Sequence, residues 1–261
     1  MFSVKDRNFL RDHILKLAES DSRVVAGAVV GSLALSNGDR WSDIDLTFSV
    51  ADHYSVLEVL EDWTINIVKE FSATQLFDLP SGTSIYRVFL LPGCLQFDLS
   101  FTPASSFGAT GPKFKLLFGK SVEKPFPQPP AAQALFGFAV HHALRARFCI
   151  ERGRYWQAEY WISETRNYAL HLACLRRNLP PYQGRGFDDL PSEIHNVFRK
   201  ALVTELTRDE LLRALSCVID GLLHEIDGVQ ELAMKVKPQL RELTAEWDTK
   251  TSKTAAQQSV D

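Results

Sequence analysis

Two aspartates separated by a single residue, Asp43 and Asp45 in Ser42-Asp43-Ile44-Asp45-Leu46, follow a Gly31-Ser32 pair after a short polar loop. From Asp43 to Val50 the chain alternates, so Asp43, Asp45, Thr47 and Ser49 share one face of a strand and Ile44, Leu46 and Phe48 the other. Carboxylates held that close repel each other unless a cation lies between them. Mg²⁺ is the natural filler, because it takes oxygen ligands from one or two carboxylates together with substrate phosphates. A third carboxylate fits the same plan. Leu95-Gln96-Phe97-Asp98-Leu99-Ser100-Phe101 also alternates, and Pro92-Gly93 before it marks a turn after a strand at Ile85–Leu91. Asp98 is therefore expected on a hairpin strand whose polar face lies beside the Asp43/Asp45 strand.

The elements that must position these groups are legible nearby. Val24–Val30 is a short apolar run without charge and reads as a buried strand ending in Gly31-Ser32. Leu33-Ala34-Leu35 can begin a helical turn there. A glycine lets backbone approach a phosphate closely, and N–H groups at a helix start favour anions. A helix over Ser3–Glu19 carries Leu10, Ile14 and Leu17 on one face, and a second, over about 52–69, follows the metal-facing strand. Pro103, Gly108, Gly111-Pro112, Pro125, Pro127, Pro129 and Pro130 then interrupt regular structure. Beyond them the chain reads as helices over 131–151, 154–178, 190–204 and 208–246, with Thr207 as N-cap of the last. The expected fold is α+β: a small mixed sheet flanked by helices over 1–127, an all-α bundle over 128–247, and a polar, disordered tail over 248–261.

Composition narrows the class. The chain has 261 residues, is 45% hydrophobic and carries a net charge of -3. That balance argues against a grip on long nucleic acid, which needs a basic stripe. Cys94, Cys149, Cys174 and Cys217 are widely spaced with no CxxC pair, and read as buried free thiols in a reducing compartment. No apolar run approaches the length of a membrane span and no leader-like segment is seen, so a cytoplasmic protein is expected.

Gly31-Ser32, Ser42-Asp43-Ile44-Asp45-Leu46 and the later Asp98 resemble the nucleotidyltransferase superfamily typified by DNA polymerase β. Within it the chain is most similar to the minimal and aminoglycoside-type nucleotidyltransferases that carry a helical C-terminal domain. The resemblance covers about residues 1–105 and weakens in the helical remainder. It implies that Asp43 and Asp45 bind two Mg²⁺ ions, that Asp98 binds one and assists deprotonation, and that Gly31 and Ser32 hold the triphosphate tail. The implied reaction transfers a nucleoside monophosphate, AMP foremost, from a Mg-bound nucleoside triphosphate to a hydroxyl of a small acceptor such as an aminoglycoside-like antibiotic, releasing pyrophosphate. Many relatives have an arginine just after the Gly-Ser pair, where this chain has Leu33-Ala34-Leu35-Ser36. Arg40 and Arg87 are the alternative sources of charge for the phosphates.

In the helical part Tyr160, Glu164, Asn167 and His171 share a face. The resemblance implies that such a domain can lend acidic residues to an acceptor pocket, which makes Glu164 a candidate for acceptor binding or general base. An ordinary interhelical polar contact is the plainer reading. Arg166-Asn167-Tyr168-Ala169-Leu170-His171 resembles the Arg-x4-His signature of HEPN ribonucleases, although residues five apart on a regular helix lie about 140° from each other. Lys113 and Lys115 read as solvated surface, and Tyr155, Trp156, Trp161 and Tyr168 as helical core. A protein-modifying or antitoxin-type nucleotidyltransferase, a non-catalytic nucleotide-binding module and a homodimer all stay open.

Overall fold

The computed structural model describes residues 1–35, 38–245 and 247. Ser36 and Asn37 of the polar loop, and the tail over 248–261, lie outside the described residues. The chain divides into two compact units, Met1–Pro127 and one beginning at Gln128. The fold is α+β, with one mixed sheet of six strands and seven α-helices among the described residues.

The first unit holds α1 (Val4–Ser20), β1 (Val24–Val30), a 3₁₀ turn (Gly31–Leu35), β2 (Ile44–Val50), α2 (Val56–Phe71), β3 (Thr74–Ser81), β4 (Ser84–Leu91), β5 (Leu95–Pro103) and β6 (Phe114–Phe118). Sheet order is β3-β4-β5-β2-β1-β6. Only β2 and β5 run parallel, with Asp45 opposite Asp98; the other neighbours are antiparallel. One face is apolar. Ile44, Leu46 and Phe48 of β2 and Phe97, Leu99 and Phe101 of β5 are fully buried with Leu10, Ile14, Leu60, Trp63 and Ile67 from α1 and α2. Burial of side chains this size contributes about 2 kcal/mol each, so α1 is held by its inward stripe more than by propensity.

Both helices start on capping serines. Ser3 Oγ accepts from the Asp6 amide at 3.2 Å while Asp6 Oδ2 accepts from the Ser3 amide at 2.8 Å, a reciprocal capping box. Ser55 caps α2 by accepting from the Glu58 amide. The helix therefore begins at Val56 rather than near residue 52. Asp52 instead holds the turn after β5, accepting from Ser105 N and Oγ, both at 3.0 Å.

Two edge strands, β3 and β6, were not legible as such. β3 contains Pro80 and a register shift between Gln75 and Phe77; β6 lies within the Gly- and Pro-rich stretch and pairs with β1.

In the second unit, α3 (Ala132–Glu151), α4 (Tyr155–Leu175), α5 (Ser192–Arg199), α6 (Arg208–His224) and α7 (Gln230–Glu242) enclose their own core, including Phe136, Ile162, Leu172, Phe198, Leu215 and Ile219. Two helices differ from the sequence reading. α5 ends at Arg199 because Arg213 takes the carbonyls of Lys200 and Leu202, which a longer helix would use internally. The span over 208–246 is two helices, not one. Glu225 is 2% exposed and paired with Arg176 at 2.7 Å and Arg177 at 3.2 Å, and Asp227-Gly228, with Gly228 at φ +81°, turns the chain. Thr207 caps α6, as its position suggested. The cysteines are all free, and Cys94 is exposed rather than buried. No helix among the described residues is long and apolar enough to cross a membrane.

Candidate active site

Asp43, Asp45 and Asp98 come together. One carboxylate oxygen from each lies within 4.8 Å of the others, and all three side chains are half-buried. The cause is register: parallel pairing sets Asp45 directly beside Asp98, and Asp43 stands on the same side just before β2 begins. The opposite face of both strands is packed against α1 and α2, so the alternation that buries Ile44 and Phe97 aims the aspartates away from the core. The donor set is purely carboxylate oxygen, which suits a hard divalent cation such as Mg²⁺ and no soft one.

Electrostatics show three like charges crowded together. Burial raises the Asp98 carboxyl above its ordinary value, and the Asp43 charge adds to that rise. The Gln96 amide counters both, donating to the two Asp98 oxygens at 3.0 and 3.2 Å.

Gly31 forms the wall beside Asp45. It sits at φ +69°, and a Cβ added there would stand 2.1 Å from Asp45 Oδ2. Both facts require glycine: the left-handed backbone and the carboxylate pressed against its bare Cα. Its amide donates to the Lys113 carbonyl at 3.2 Å, so the turn is tied to the approach of β6, and that N–H is engaged within the chain rather than offered to a phosphate. Ser32, half-buried, follows at the start of the 3₁₀ turn.

The loop leading into Asp43 is clamped by a residue the sequence reading passed over. Arg7 on α1 is buried, and its Nη1 donates to the carbonyls of Asp39 at 2.5 Å and Ser42 at 3.0 Å. Asp39 itself accepts from the Trp41 amide at 2.8 Å and from the Ser42 hydroxyl. The signal was present: Arg7, Leu10 and Ile14 follow helical spacing, so a cation stands inside an apolar stripe.

The two arginines offered for the triphosphate have different fates. Arg40 is exposed, its guanidinium 4.3 Å over the Trp41 ring, and Nη1 reaches the Phe2 carbonyl at 3.2 Å. Arg87 is 2% exposed and lies on the helix-covered face. It donates through Nε and Nη2 to Asp78 at 2.7 and 2.6 Å, through Nη2 to Glu61 at 2.7 Å and through Nη1 to Thr64 at 2.7 Å. Arg87 braces α2 and β3 against the sheet, and the sheet itself separates it from the aspartates.

Glu164 lies on α4 of the second unit, half-buried, accepting from Asn167 Nδ2 at 3.0 Å. Arg166 donates to Ser163 Oγ and the Ala201 carbonyl, whereas His171 packs on Tyr168 and Phe187. α4 is regular throughout, and Arg166 and His171 have no bond to each other among those described. Trp161 and Tyr168 pack into the helical unit, but Trp156 is 80% exposed.

No family model matches the chain, and no curated protein matches it. Among solved structures it is similar to an aminoglycoside 6-adenyltransferase from Bacillus subtilis, at 14% identity and a TM-score of 0.37, over 89% of this chain and 96% of that one. A likeness that distant carries no argument about the site, which stands on its own geometry.

Proposed function

We propose that the first unit is a metal-dependent nucleotidyltransferase that moves a nucleoside monophosphate, AMP foremost, from a nucleoside triphosphate to a hydroxyl of a small acceptor. The observation that carries this reading is the convergence of Asp43, Asp45 and Asp98 beside a positive-φ glycine turn. In the reaction the acceptor oxygen attacks the α-phosphorus, the bond to the bridging oxygen breaks, pyrophosphate leaves and the hydroxyl proton is lost to solvent or carboxylate.

Asp43 and Asp45 would hold up to two Mg²⁺ ions, with Asp98 as third ligand to one. Bound there, Mg²⁺ neutralises polyphosphate charge and lowers the pKa of a coordinated hydroxyl. The chain's own contribution is positional. Arg7 fixes the loop before Asp43, parallel pairing fixes Asp45 against Asp98, and Gly31, bare of a Cβ, leaves room for the Asp45 carboxylate, with Ser32 beside it as the turn's candidate phosphate contact. Lys113, exposed and joined through its carbonyl to the Gly31 amide, and Arg40, exposed in the loop before Asp43, are the solvent-facing cations proposed to meet the triphosphate charge.

The test is incubation of the intact protein with labelled nucleoside triphosphates, Mg²⁺ and panels of hydroxylated small molecules and cell extract, read by mass spectrometry for a monophosphate adduct and by pyrophosphate release. Adduct formation that disappears with EDTA is the expected outcome. Triphosphate binding without pyrophosphate release on any acceptor would reduce the protein to a nucleotide-binding module.

A further inference from the structure

The acidic face of the sheet does not stay acidic. Register partners share a face, so the row through Asp45 and Asp98 continues to Val88 on β4 and Phe77 on β3. Beside it Tyr86 faces Leu79, and Leu90 faces Gln96. Phe77, Leu79 and Leu90 are 49%, 55% and 41% exposed, large apolar side chains left open to solvent on the same face as the triad. Among the residues that β3, β4 and β5 place there, Asp98 alone is charged. Asp78, the single acid of β3, pairs with Arg87 through the opposite face. At about 4.8 Å per strand, the apolar floor runs about 10 Å outward from Asp98.

We propose that this strip of Phe77, Leu79, Tyr86 and Leu90, with Val88 buried among them at 5% exposure, is the acceptor subsite, and that the acceptor is an amphipathic molecule whose apolar body lies on the strip while its hydroxyl reaches the triad. The inference rests on the nucleotidyltransferase reading and narrows it. A polycationic acceptor, as the aminoglycoside resemblance implies, needs carboxylates along its length to replace lost hydration, and the strip supplies none. A chain or ring system of about 10 Å gains instead from covering side chains that water now wets. Continuity with the triad through strand register selects a reacting ligand over a separate protein partner.

The experiment titrates the intact protein, holding Mg²⁺ and a non-hydrolysable triphosphate analogue, with alkyl glycosides from ethyl to hexyl and with a sugar bearing several ammonium groups. Affinity for the glycosides should rise about threefold to fourfold per added methylene. The rise should vanish in F77S/L79S, and affinity for the analogue should not change. These positions are exposed on an edge strand, and the chain-length series on the unaltered protein gives an answer even if that variant folds poorly. Chain-length independence, a preference for the polyammonium sugar, or a parallel loss of analogue affinity in F77S/L79S would each overturn the proposal; the last would make the strip a nucleobase site. Absence of any Mg²⁺-dependent binding of the analogue would instead overturn the parent reading.

Discussion

Gly31→Ala isolates the contact that makes the turn part of the site. Two effects are superimposed at this position. Gly31 lies at φ +69°, and holding a residue with a Cβ there costs about 1–2 kcal/mol. The added methyl would also stand 2.1 Å from Asp45 Oδ2. The colliding atom is the end of a side chain, so the carboxylate can swing aside and the fold survives. It must move by more than an ångström to do so, and a displacement of that size at a reacting centre costs about 10²-fold in rate. The expectation is a small loss of stability joined to a large loss of function. Gly82 supplies the control, because it has nearly the same backbone, φ +60°, and a Cβ there meets nothing within 4 Å.

Urea midpoints, Mn²⁺ affinity and pyrophosphate release should be measured for both variants. G82A should lose about 1 kcal/mol and nothing else. G31A should lose a similar amount of stability, bind Mn²⁺ at least about tenfold more weakly and turn over about 10²-fold more slowly. If G31A kept turnover within about threefold of the unaltered protein, the pressed contact with Asp45 would have no part in holding the ligand geometry. If G82A lost activity equally, backbone strain alone would explain both.

Replacing Asp43 and Asp45 together by alanine should remove metal-dependent turnover, at about 10²–10³-fold per group, while the melting point stays close to that of the parent; retained turnover would refute the metal assignment. Arg87→Met leaves Asp78 and Glu61 without their cation, and since these acids are 31% and 53% exposed the loss should sit near the lower end for a broken buried pair, about 3 kcal/mol. Its triphosphate KM should not move, and a KM effect without a stability loss would return Arg87 to the phosphate site. Acid stability carries a further expectation. Asp21, hydrogen-bonded first by Arg23 and also by Trp63 Nε1 at 2.8 Å, is held down to about 2 from an ordinary 3.8. A depressed carboxyl favours folding only while ionised, so its contribution of about 2 kcal/mol is complete above about pH 4 and lost as pH falls toward 2. Asp21→Asn should flatten that acid limb in urea titrations; an unchanged limb would show that the Arg23 pairing contributes nothing to folding.

Short-range pattern made much of this legible. Alternation in β2 and β5 depends on nothing but neighbours in sequence, and it is the same alternation that sorts Ile44 and Phe97 inward and Asp45 and Asp98 outward. The parallel pairing that joins the two aspartates is a matter of topology, which no local pattern encodes. β3 and β6 escaped because each is an edge strand whose extended form is imposed by one neighbour: Pro80 and the shift near Leu76 spoil the period of β3, and β6 is five residues set among turn formers. The break between α6 and α7 had a local sign, Asp227-Gly228, but its deeper cause is Glu225 drawn inward by Arg176 and Arg177, partners distant in sequence.

The arginines follow one logic that bears on the chemistry. Arg7 falls in the apolar stripe of α1, and Arg87 alternates with Ile85, Phe89 and Leu91 on the apolar side of β4. A cation in such a place cannot meet a solvated ligand; it must find oxygen inside the protein, and both do, on loop carbonyls and on carboxylates. These two therefore hold the frame on which the aspartates stand. If the protein binds a triphosphate as proposed, its charge would be met from exposed positions, where a long side chain keeps its hydration until phosphate replaces it. Lys113 and Arg40 have that exposure, and Lys113 is joined through its carbonyl to the Gly31 amide, so under the proposed function the cation that many relatives carry just after the Gly-Ser pair would have to come from outside that turn.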